Sequence, residues 1–269
     1  MTVIRSSAIA ALVAGIGFSG LAAAQSNVWN FGDTAPNGAC TGNYDTLQSN
    51  GSGFNGIGNT INCTQQPNGT VNTLAVKAYS AATGIAFASA AVNQWGTGSG
   101  FGVRNANEPG GSGAPDHAMD NNAQSDLLLL SFTSAQILKT VTLGWSGTDA
   151  DFQLLRWTQA GAATATVGRT ATQLLSDGWG LVSTVDGAAN ISTPDVIYGV
   201  NTGNLSSSYW LISAFNSAFG ASGSSAGIDA FKVLGVTSSA VAEPGSLALA
   251  GLALAAAAGL RRRGARQDA

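Results

Sequence analysis

Leu127-Leu128-Leu129-Leu130-Ser131-Phe132 is the stretch on which the reading of this chain turns. It is short for a helix and about right for a strand. An apolar run without alternation suits a strand whose two faces are both buried. Such a strand needs partners on each edge and cover above and below. Neighbouring segments have the character to supply them. Val141, Leu143 and Trp145 keep a period of two, as do Phe152 and Leu154 ahead of Arg156 and Trp157. Trp179–Val185, Tyr209–Phe215 and Ile228–Val236 follow in the same style, while Val71–Tyr79 alternates upstream and Ile85–Val92 is small and apolar. Gly, Asn, Asp and Ser separate nearly all of these runs, the punctuation of an all-β sandwich. Only Thr170–Ser176, ahead of Asp177-Gly178, reads as a helical turn, and no repeat of 20–50 residues is visible. The expectation is a single β-sandwich domain of jelly-roll type.

Before Val71 the character changes. Gln25–Gly69 is punctuated by Asn-Gly steps at Asn37-Gly38, Asn50-Gly51, Asn55-Gly56 and Asn68-Gly69, which mark turns between short strands. The region is poor in apolar residues and contains the chain's two cysteines, Cys40 and Cys63. In an oxidising compartment a single disulfide between them is expected, worth roughly 3 kcal/mol for a loop of this length.

Both ends read as addresses. Arg5 supplies a positive start, Ala8–Leu21 an apolar stretch, and Ala22-Ala23-Ala24 a cleavage site before Gln25, so residues 1–24 have the form of a secretory signal. At the other end Glu243-Pro244-Gly245 is followed by an apolar run from Leu247 to Leu260 and then by Arg261, Arg262 and Arg263. At about 1.5 Å per residue that run reaches roughly 21 Å, short of a hydrocarbon core of ~30 Å. A transient or tilted segment fits better than a permanent anchor, with the arginines holding the C-terminus on the cytoplasmic side. The three-part segment 243–269 resembles the PEP-CTERM sorting signal of Gram-negative bacteria. That resemblance implies an exosortase as processing partner, cutting near the Glu-Pro step, and transient retention at the inner membrane. Ala242 stands where the pattern usually has a first proline, which leaves Pro244 as the rigid element.

The working protein would then be 25–242, an exported domain. It has six basic residues against twelve acidic ones, a formal balance of −6. Such a surface cannot neutralise a run of phosphates, so nucleic acid is not an expected partner. Six segments of this domain resemble the exosortase-dependent surface proteins: Trp29-Asn30-Phe31-Gly32, Cys40-Thr41-Gly42-Asn43-Tyr44, Gly100-Phe101-Gly102-Val103, His117-Ala118-Met119-Asp120-Asn121-Asn122, Ser206–Trp210 and Phe231-Lys232-Val233-Leu234. The resemblance implies a non-enzymatic component of the cell surface or of an exopolysaccharide-rich matrix, and it supplies no activity.

Two acidic groups stand out. Asp116, Asp120, Asn121, Asn122 and Asp126 lie close together, with Glu108 upstream and the single histidine, His117, among them. This set has the oxygen donors that calcium takes, six to eight at a time. The competing reading is a polar loop whose side chains cap turns before the Leu127 strand. Asp149 and Asp151 form a second pair, two residues apart and so facing the same way on an extended chain. The first set is the preferred cation candidate, because its short spacing loses little loop entropy. No cofactor is required on this reading, with calcium the one to consider. A calcium-dependent carbohydrate-binding module is the second functional expectation and a secreted hydrolase the third. Gly51–Gly56 and Gly223–Gly227 match nucleotide-binding and serine-hydrolase patterns by spacing alone, without the flanking elements those chemistries need. Trp145, Trp179 and Trp210 belong to strand patterns and are expected in the core. Trp95, beside the Gly-rich connection 96–113, is the one placed to meet a sugar ring.

Overall fold

In the computed structural model, Leu127–Phe132 belongs to a 23-residue strand, β8 (Gln124–Ser146), on which the molecule is built. The structure describes residues 26–32, 40–42, 59–65, 71–82, 84–94, 98–105, 117–192, 195–220 and 227–241. The secretory signal, the sorting segment with its expected hydrophobic helix, Glu108, Asp116 and Trp95 lie outside them. Among the described residues no helix is long and apolar enough to cross a membrane. The expected strands at Leu127–Phe132 and Val141–Trp145 are one element. Thr133, Ser134 and Ala135 come to the surface between its halves, and the ladder to the next strand shifts register opposite them.

Each half of β8 has two neighbours. The first half pairs with β4 (Asn72–Ala82) on one edge and β12 (Ser207–Ala214) on the other. The second half pairs with β13 (Ala230–Ala240) and β11 (Val196–Gly199). Beyond β12 lie β9 (Phe152–Trp157) and β10 (Trp179–Val185). Beyond β4 lie β3 (Thr60–Gln65) and the two-residue β2 (Cys40–Thr41). β5 (Ala88–Asn93) and β6 (Gly102–Arg104) extend from β4, whereas β1 (Ser26–Asn30) and β7 (Met119–Asp120) flank β13. All thirteen strands form one open antiparallel sheet, which passes from one layer of the sandwich to the other along β8.

Alternation along β8 explains its apolar run. Leu128 and Leu130 point between the layers, into a core with Leu74, Val76, Leu154, Trp210, Val141, Phe231 and Val236. Rings join the layers directly, Trp29 against Phe132 at 5.7 Å and Phe152 against Phe231 at 5.7 Å. Leu127 and Leu129 point the other way, into a second cluster with Leu155, Leu211, Phe219, Trp157 and Trp179. That outer cluster is capped by α1 (Ala171–Asp177) through Leu174. The helix starts where sequence placed it. The Thr170 side chain accepts from the Gln173 backbone, the Gln173 side chain returns to the Thr170 N–H, and Gly178 ends the helix with φ 122°. Fully burying a leucine contributes about 1.5–3 kcal/mol, so two opposed apolar faces on one strand make it the anchor of both clusters.

Cys40 and Cys63 are joined, as expected, and sit directly opposite each other across β2 and β3. Cys63 reaches the inter-layer core. The Cys40 sulfur lies 3.7 Å from the Asn30 carbonyl of β1 in the other layer, so the disulfide lies beside the meeting of the two layer edges. The Gly100-Phe101-Gly102-Val103 segment also has a steric explanation. A Cβ on Gly102 would lie 1.8 Å from the His117 carbonyl, so only glycine lets these backbones approach, while Phe101 stacks on Phe31 at 4.6 Å.

Candidate functional site

The ends of three strands bring carboxylates together. Asp149 and Asp151 lie in the turn leading from β8 into β9, and Asp229 immediately precedes β13. The antiparallel ladders place these starts at the same end of the sandwich. The backbone interlocks there: Ala230 N–H donates to the Asp149 carbonyl at 2.9 Å and Phe215 N–H to the Asp151 carbonyl at 3.1 Å. One carboxylate oxygen from each of Asp149, Asp151 and Asp229 can lie within 4.8 Å of the others. Asp151 and Asp229 are buried and Asp149 is half-exposed, which leaves the group approachable from its Asp149 side.

Backbone N–H groups reach each of these carboxylates in the interlock. Asp151 N–H donates to Asp229 Oδ1 at 2.8 Å, Gly187 N–H to Asp151 Oδ1 at 3.1 Å, and Ala150 N–H to Asp149 Oδ1 at 3.0 Å. Gly187 must be glycine to come so near, because a Cβ there would lie 2.1 Å from the Ala150 carbonyl. Asn121 completes the group. Its amide donates to Asp229 Oδ2, and its Oδ1 accepts from the Asp229 N–H at 2.9 Å. Burial pushes the Asp229 carboxyl up to about 7, and the charges of Asp151 and Asp149 add to the rise. The bonds from the Asp151 backbone and Asn121 oppose it.

Of the cation set expected from sequence, Asn121 alone is shown reaching this cluster. Asp120 accepts from the Asn122 N–H at 2.8 Å, and Asp126 Oδ2 accepts from the Asp120 N–H at 3.3 Å. The first is a turn contact, and the second ties β7 to the start of β8. Both aspartates are buried, Asn122 is exposed, and Asp116 lies outside the described residues. The expected pair Asp149 and Asp151 does converge, and Asp229 is the member that sequence reading missed. It is 78 residues from Asp151. Its one local signal, an aspartate immediately ahead of an apolar strand, is shared with Asp151.

Three carboxylates with an amide oxygen and nearby carbonyls are hard oxygen donors, suited to calcium or magnesium and unsuited to metals that favour sulfur or imidazole. His117 is buried, and its backbone carbonyl packs against Gly102. Trp29, Trp157, Trp179 and Trp210 are buried, whereas Trp145, expected in the core, is half-buried and belongs to neither cluster. No protein family, curated protein or solved structure matches the chain.

Proposed function

We propose that this is an exported, non-enzymatic protein of the cell surface or extracellular matrix, processed by an exosortase and retained in or released to an exopolysaccharide layer. The observation that carries the reading is the bracketing of one β domain by two address segments, a secretory signal at 1–24 and the Glu243-Pro244, apolar and Arg261–Arg263 segment. The cross-strand disulfide supports passage through an oxidising compartment. Intact-mass analysis of protein from its native cells tests it. The expected mass lacks Met1–Ala24 and most residues after Glu243. Recovery of a C-terminus that still includes Arg261–Arg263 would overturn sorting.

A second reading, a calcium-dependent carbohydrate-binding module, is favoured by the convergence of Asp149, Asp151 and Asp229. Calcium there would stabilise the fold by mass action, raising the melting temperature as its concentration passes the dissociation constant. Because Asp229 must lose a proton to bind, the rise should be larger at pH 8 than at pH 5.5. Asp151→Asn should abolish the rise and Asp120→Ala should leave it. The reverse pattern would return the site to the Asp116–Asp126 loop, and a melting temperature indifferent to calcium and chelator would remove this reading. Calorimetric titration with polysaccharides, with and without calcium, tests the carbohydrate half.

A further inference from the structure

We draw no further inference here: the strongest candidate, the carboxylate cluster of Asp149, Asp151 and Asp229 at the end of the sandwich where β9 and β13 begin, belongs to the site already described, and no second feature among the described residues points to a ligand there.

Discussion

Two N–H donors reach the Asp229 carboxylate, and they do not offset its burial beside two other aspartates. Its folded value of about 7 lies above the usual 3.8, so between those limits the folded chain keeps a proton that the unfolded chain has released. The contribution of this group to stability therefore falls as pH rises from about 4 to 7. Lys232, three residues along β13, has the opposite slope. Burial lowers it from 10.5 to about 8, so across that interval the unfolded chain keeps the proton and stability rises with pH. Together the two residues place a shallow minimum between about pH 7 and 8. Asp229→Asn should flatten the acid-side slope in urea midpoints measured from pH 4 to 8. The amide oxygen can still accept from Asp151, so the fold should survive the change. An unaltered slope would assign the proton elsewhere. Sequence shows the residue types at this site but not their meeting. Asp149 and Asp151 are neighbours in the chain, whereas Asp229 joins them through the pairing of β8 with β13.

Elements were more legible than sites, for a physical reason. A strand buried on both faces declares itself by losing its alternation, and Leu127–Leu130 divide between two clusters as that loss implies. The helix is legible from its Asp177-Gly178 stop, whereas its Thr170 capping box is seen in the structure. The union of Leu127–Phe132 with Val141–Trp145 was not, because the intervening Thr133, Ser134 and Ala135 are exposed and read as a break. β11 carries no such mark in the sequence. It spans four residues, and Ile197 is 67% exposed, so no amphipathic signal marks it. Two predictions belong to this scale. Leu128→Ala and Leu129→Ala should each cost about 2–5 kcal/mol in urea unfolding, since each empties a different cluster. A one-faced strand would lose stability at Leu128 alone. Thr170→Ala removes a capping box and should cost about 1 kcal/mol, with hydrogen exchange raised over Ala171–Asp177.

For the molecule as a whole, the shared strand couples the two layers. Cutting the hydrogen bonds of either layer disturbs β8, so the sandwich should unfold in a single step with coincident tryptophan fluorescence and far-ultraviolet transitions. The disulfide acts at the edges of the two layers, where β2 and β3 come beside β1. Reduction should lower stability by roughly 3 kcal/mol and raise hydrogen exchange mainly in β1, β2 and β3. Exchange spreading evenly through β8 and β12 would show that the staple supports the entire core. The all-β class was readable because turn residues recur at regular intervals. The folding of one sheet into two layers was not, since it depends on which edge of β8 each partner takes.

The register of β1 against β13 sets a direction for the molecule. Ser26 lies opposite Ser239, so the chain enters and leaves the sandwich side by side. Asp229 stands at the far end of β13, eleven residues long, a separation on the order of 30 Å at strand rise. The three aspartates therefore lie at the end of the sandwich away from Ser26 and Ser239. Tension drawn between the two ends would peel β1 from β13 one rung at a time, rather than loading the whole ladder at once. The Ser26–Ser239 end of that ladder is then the first to part, and the Asn30–Gly235 end the last.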